Sequence, residues 1–208
     1  VFELKPIKYP LFPSLIYHTP FLTKYESEMY VKCLDNLEKK SIPFVQKPFY
    51  QTTDKLHLLN DKWKELNNKV IKVIDSIADD QYIIRDSFYT TCMWANISTG
   101  KEYFHKTHSH PNSFFSSIIY LRGNESSETT FHDPRAQANV FKPSISENLL
   151  FNSSTFKLPF IEGSMVIFPS WLPHTVIGEG KDNSNRITIS CNFMLHSEIN
   201  QHAGYLKI

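Results

Sequence analysis

A chain of 208 residues, 41% apolar and 21% charged, carries enough apolar surface for a buried core and suits one compact domain over residues 1–208. Its formal net charge of +1 gives no electrostatic reason to expect a nucleic acid or an acidic membrane as partner, and no apolar run approaches the ~18 residues of a membrane helix. Cys33, Cys92 and Cys191 are far apart and odd in number, and Val1-Phe2-Glu3-Leu4-Lys5-Pro6 lacks a signal-peptide pattern, so a reduced, cytoplasmic protein is expected.

Four prolines in residues 6–22 flank Leu15-Ile16-Tyr17-His18, which reads as one short strand between turns. From Thr23 to Lys40, Tyr25, Met29, Cys33, Leu34 and Leu37 recur at helical spacing, and Thr23 with Glu26 has the form of a capping box. Asn60 caps a stronger helical pattern in which Trp63, Leu66, Val70, Val73, Ile74 and Ile77 form one apolar stripe. Both helices read as props for a sheet, a helical support over about 23–80.

After Asp79-Asp80 the period of the pattern shifts to 2. Strands are expected at Phe88–Ile97, Phe114–Leu121, Glu128–His132, Met165–Phe168, Thr175–Ile177 and Arg186–Phe193. Residues 136–158 read as a long loop and Gly178 to Asn185 as a hairpin loop. The fold class is α+β, mainly β: an antiparallel jelly roll over about 88–195 with helices against one of its sheets.

Within the strands stands Thr107-His108-Ser109-His110. If the backbone is extended there, the two imidazoles project from one face with Cα atoms ~6.6 Å apart, near enough to reach one metal ion. That is half of a metal site.

The order His108-x-His110, Ile119-Tyr120-Leu121, Gly163-x-x-x-x-Phe168-Pro169, Pro173-His174-x-Val176 and Arg186-x-Thr188 resembles the iron(II)- and 2-oxoglutarate-dependent oxygenases. It is most similar to their prolyl-hydroxylase-like branch and to a group found in marine bacteria and phages, over roughly residues 88–195. The resemblance implies a double-stranded β-helix and Fe(II) held by three ligands on one face, so that positions stay open for the co-substrate and O2. It makes His108 the first ligand and His174 the distal one. Arg186, with Tyr120 and Thr188, matches the positions that hold the far carboxylate of 2-oxoglutarate. The implied reaction converts 2-oxoglutarate to succinate and CO2 and hydroxylates an organic substrate, peptidyl prolyl or small and amino-acid-like. No catalytic side chain is needed beyond the metal site.

The family usually shows His-x-Asp where this chain has His108-Ser109-His110. Spacing favours His110 as the third ligand; Asp133 in Phe131-His132-Asp133-Pro134-Arg135 is its rival. Trp94 and Asn96 share a strand face and are candidates to line the pocket, and Arg135 is a candidate for a substrate carboxylate. Trp171 reads as packing that fixes His174. Residues 41–57 and 136–158 are candidates for a substrate-access rim. His105 reads as loop-exposed, and His18, His57, His196 and His202 as ordinary hydrogen-bonded histidines. Two other functions fit the same residues: a cupin-like binding module with a structural metal or none, and a three-His dioxygenase that oxidises a thiol without 2-oxoglutarate.

Overall fold

The computed structural model describes residues 9, 11–42, 49–98, 102–123, 127–135, 137, 140, 141, 143–179, 185–201 and 204–207. The first half contains β1 (Tyr17–Pro20), α1 (Lys24–Cys33), β2 (Lys40–Ser41), β3 (Phe49–Gln51), α2 (Leu56–Leu59) and α3 (Asp61–Asp80). The strands β4 (Ser87–Ser98), β5 (Glu102–His108), β6 (Phe115–Arg122), β7 (Ser127–His132) and β8 (Thr155–Pro159) follow. Then come β9 (Ser164–Pro169), β10 (His174–Glu179), β11 (Arg186–His196), β12 (Glu198–Gln201) and β13 (Gly204–Lys207).

Both predicted caps are present. Thr23 Oγ1 accepts from the Glu26 backbone N–H at 3.2 Å, and the Glu26 carboxylate accepts from the Thr23 N–H at 2.7 Å. Lys69 Nζ, 3.0 Å from the same carboxylate, ties α1 to α3. Asn60 Oδ1 accepts from the Trp63 N–H at 3.3 Å and starts α3, whose Trp63, Leu66, Val70, Ile74 and Ile77 are buried as the stripe requires.

The strands form a seven-stranded sheet in the order β1-β9-β6-β11-β4-β3-β2 and a four-stranded sheet in the order β5-β10-β7-β8, with β12 and β13 as a separate pair. The named strands pair antiparallel throughout. β4, β6, β9 and β11 lie in the larger sheet and β5, β7, β8 and β10 in the smaller, so the chain winds back and forth between the two as a double-stranded β-helix.

Alternation along each strand sorts the larger sheet's side chains onto two faces. Met93, Ala95, Ile119, Leu121, Met165, Ile167, Ile189, Cys191 and Phe193 pack in one cluster with Trp63, Leu66, Val70 and Ile74 of α3. The intervening Ile118, Tyr120, Val166 and Phe168 pack in a second cluster with Phe131 and Leu158 of the smaller sheet. On β4 and β11 the inward positions are instead polar: Asn96, Thr188, Ser190 and Asn192 are buried there. Buried polar groups need partners, and these have them: Asn96 Nδ2 donates to Ser190 Oγ at 2.8 Å and Asn192 Oδ1 accepts from Ser116 Oγ at 2.9 Å.

Gly163 pins the entrance to β9. It has φ +79°, and a Cβ there would collide with the Leu22 carbonyl oxygen. Its own carbonyl accepts from the N–H groups of Phe21 (2.9 Å) and Leu22 (2.7 Å), joining this turn to the start of α1.

Two expectations change. β10 and β11 are not a hairpin: β10 pairs with β5 and β7, and β11 with β4 and β6. Both edges of β10 are taken, so the chain crosses to the other sheet. Residues 136–158 are not loop throughout, because β8 begins at Thr155 and pairs with β7. Among the described residues no helix is long and apolar enough to cross a membrane.

Candidate functional site

The antiparallel pairing of β5 and β10 sets His108, the last residue of β5, directly opposite His174, the first of β10. His110 follows just beyond the strand. Its N–H donates to the Ser170 carbonyl at 2.9 Å, the Ser170 N–H donates to the Phe114 carbonyl at 3.0 Å, and Asn112 turns the chain with φ 55°. The three imidazoles each offer a ligand atom, all within 4.8 Å of one another.

The orientation of these rings is fixed from behind. The Lys106 carbonyl lies 2.8 Å from His108 Nδ1 and the Leu172 carbonyl 3.1 Å from His174 Nδ1. A carbonyl only accepts, so each Nδ1 carries the proton and each Nε2 presents a lone pair. Phe168 meets the His174 ring edge-on at 4.8 Å.

Electrostatics keep the rings neutral. Burial, reinforced by the His108 ring, pushes His174 down to about 3 and His110 down to about 4, and burial also lowers His108. Neutral imidazole is the form that binds metal. His110 Nε2 and His174 Nε2 are 3.4 Å apart, and two nitrogens each ~2.1 Å from one ion are separated by about 3.0–3.4 Å. Neutral donors, backbone-held tautomers and matching spacing fit a metal ion held on one face.

The pocket beside the cluster is lined by residues of both sheets, among them Phe49, Trp94, Asn96, His105, Arg186 and Thr188. Asn96 Oδ1 accepts from Trp94 Nε1 at 3.0 Å and from Gln51 Nε2 at 2.8 Å, and Asn96 Nδ2 donates to Ser190 Oγ at 2.8 Å. This ladder across β3, β4 and β11 holds the polar wall rigid. At the far side Arg186, only 5% exposed, places its guanidinium 5.8 Å from the ring centroids of Tyr120 and Phe160, with Nη1 3.4 Å from Thr188 Oγ1. Tyr120 itself shares a hydrogen bond with Thr129 at 2.9 Å. Among the described lining residues Arg186 is the one with a formal charge, and a guanidinium has the planar donor geometry that suits a carboxylate.

The predicted candidates divide. His108, His110, His174, Arg186, Thr188, Trp94 and Asn96 come together around one pocket, with Tyr120 packed behind Arg186. Asp133 does not join the imidazoles: its carboxylate accepts from Arg135 Nε and Nη2, each at 2.9 Å, and Arg135 is exposed beside it, outside the pocket lining. Trp171 does not pack on His174; it is 56% exposed, and buried Leu172 supplies the backbone contact instead. His18 bonds Ser164 Oγ at 2.8 Å and His196 stacks on Tyr89, whereas buried His57 leaves Nδ1 without a partner among the described residues. His202 and residues 43–48 lie outside the described residues.

His105, expected in an exposed loop, instead lies within β5 and lines the pocket. The step from His174 to Val176 on β10 spans His108 to His105 on β5, so β5 carries one extra residue, a bulge. The bulge returns His105 to the face of His108, where the two rings stack at 4.0 Å. Phe49, from the segment 41–57, also packs against the His105 ring, with the centroids 5.6 Å apart.

Residues 92–192 match the family described as "Putative 2OG-Fe(II) oxygenase", 2OG being 2-oxoglutarate. No curated protein matches the chain in sequence. In structure the chain is similar to HygX from Streptomyces hygroscopicus, solved with nickel and 2-oxoglutarate bound (TM-score 0.63, 12% identity, 93% of this chain and 92% of that one). It is also similar to a Pseudomonas putida prolyl-4-hydroxylase (TM-score 0.60, 10% identity, 88% and 94%). A third likeness is the epimerase SnoN of nogalamycin biosynthesis (TM-score 0.64, 12% identity, 88% and 79%). At these identities the structures establish the shared double-stranded β-helix, and the profile match spans the strands that carry the imidazoles up to β11. The stretch that matches the 2OG-Fe(II) oxygenase family carries His108, His110, His174 and Arg186, and its fold is the one those oxygenase structures share.

Proposed function

We propose that this chain is a dioxygenase that couples conversion of 2-oxoglutarate to succinate and CO2 with hydroxylation of an organic substrate. The observation that carries the reading is the presence, in one pocket, of a three-imidazole cluster and a buried guanidinium. His108, His110 and His174 would hold Fe(II), and Arg186, backed by Tyr120 and Thr188, would receive the far carboxylate of 2-oxoglutarate. The bound iron supplies the O2 chemistry. The protein's own part is to orient the co-substrate, present the substrate past Trp94 and Asn96, and keep water out.

The substrate class we favour is a peptidyl prolyl or a small amino-acid-like molecule. It is supported by the ordered motif and by the likeness to a prolyl-4-hydroxylase. Residues 1–208 act as one domain in this reading, in the cytoplasm, in keeping with three unpaired cysteines.

Anaerobic addition of Fe(II) and 2-oxoglutarate tests the reading. A weak visible charge-transfer band is expected, and it should be absent in Arg186→Ala; a folded, metal-loaded protein without the band contradicts it. One observation favours a second reading: among the described residues the cluster contains no carboxylate, and Asp133 is engaged by Arg135. An all-imidazole site suits a thiol dioxygenase, for which O2 consumption with a thiol and no 2-oxoglutarate is the discriminating assay.

A further inference from the structure

We propose that His105 is a second protein contact of the co-substrate, giving a ring N–H to the 2-oxoglutarate seated between the imidazole cluster and Arg186. The proposal rests on reading the pocket as a 2-oxoglutarate site.

Position comes first. His105 stands on β5 of the smaller sheet and Arg186 on β11 of the larger, and both line the same pocket. A ligand that reaches from the imidazoles to Arg186 therefore has His105 on the wall opposite the guanidinium's strand. The bulge in β5 is what turns His105 inward, since in a regular strand a residue three places from His108 would face away.

The surroundings of the ring leave one direction for its chemistry. His108 stacks on one face at 4.0 Å and Phe49 packs against the ring, tilted, at 5.6 Å, so the edge that carries the nitrogens is where the ring can make a polar contact. His108 and His174 each spend Nδ1 on a backbone carbonyl, and His110 Nε2 lies 3.4 Å from His174 Nε2. Among the described residues His105 makes no hydrogen bond through either nitrogen, and it is not one of the three whose ligand atoms cluster within 4.8 Å. A neutral imidazole always has one N–H to donate and one lone pair. Held in a pocket that a carboxylate-bearing ligand would close, that N–H has the ligand as its natural acceptor, and a hydrogen bond to a charged group is the strong kind.

Two titrations on the full chain test this: Fe(II) alone, and 2-oxoglutarate into the anaerobic Fe(II)-loaded protein followed by the charge-transfer absorbance. His105→Phe keeps the stacking and removes the hydrogen bond. It should raise the Kd for 2-oxoglutarate about 10-fold or more while changing Fe(II) affinity by less than about 2-fold, and His105→Gln should recover most of the loss. An unchanged Kd for 2-oxoglutarate in His105→Phe overturns the proposal, and so does a parallel loss of Fe(II) affinity, which would make His105 a support of the metal ligands. Should His105→Phe not fold, His105→Leu is read by the same two titrations with the same expected values. Failure of the wild-type, metal-loaded protein to bind 2-oxoglutarate would instead overturn the functional reading itself, and this inference with it.

Discussion

His110 Nε2 and His174 Nε2 face each other at 3.4 Å, although the Leu172 carbonyl behind His174 leaves its Nε2 as a lone pair. Without an ion, a proton on His110 Nε2 can bridge the two nitrogens as a hydrogen bond; with an ion bound, the other tautomer of His110 turns both lone pairs toward it. The spacing suits a shared ion, so His110→Ala should weaken Fe(II) binding by more than the ~10-fold that loss of an outer-sphere partner costs. Asp133→Asn should change it by less than about 2-fold, because Asp133 is bound to Arg135. Competitive chelator titration of both variants checks the pair; the opposite ranking would move the third ligand to Asp133.

Arg186 should be separable from the metal. Arg186→Ala is expected to weaken 2-oxoglutarate binding by about 30-fold or more, the effect of truncating one partner of a buried charged pair. Fe(II) affinity should stay near that of wild type. Isothermal titration with each ligand in turn gives both numbers.

The helical support makes its own prediction, with a pH dependence. The Thr23 N–H and the Lys69 ammonium hold the Glu26 carboxyl at about 2, well below its ordinary value of 4.5. A lowered carboxylate pKa stabilises the fold above 4.5, and this contribution is lost as pH falls through 4.5 toward 2. Thr23→Ala should cost ~1 kcal/mol near pH 7. The stability gap between wild type and Glu26→Gln should shrink as pH drops from 6 toward 3, as urea unfolding at a series of pH values will measure.

Gly163→Ala should destabilise by ~1–3 kcal/mol, because φ is +79° and the new methyl meets the Leu22 carbonyl oxygen. Thermal unfolding of the apo-protein checks it; an unchanged Tm would mean the turn between α1 and β9 can relax.

Local chemistry was legible in the sequence, and choices made by the whole fold were not. The capping box of Thr23 and Glu26 and the stripe from Trp63 to Ile77 depend on neighbours within one or two turns, and both appear as read. His108, His174 and Arg186 were legible as an ordered set. The crossing between β10 and β11 was not, since glycine and polar residues suit a hairpin and a sheet-to-sheet connection alike, and the free edges of other strands decide between them. β8 was hidden because its burial does not alternate: four of its five residues are exposed and only Leu158 is buried. His105 was hidden because the charged and polar run before His108 reads as loop, whereas it forms β5, and a bulge there turns His105 to the face of His108.

The most direct test of the account is succinate release from 2-oxoglutarate in air by the Fe(II)-loaded chain without a prime substrate, measured with bound metal in wild type, His108→Ala and His174→Ala. Wild type should hold one iron and release succinate slowly, and each variant should lose both. Metal content and succinate release left unchanged by the two substitutions would contradict the assignment of the site.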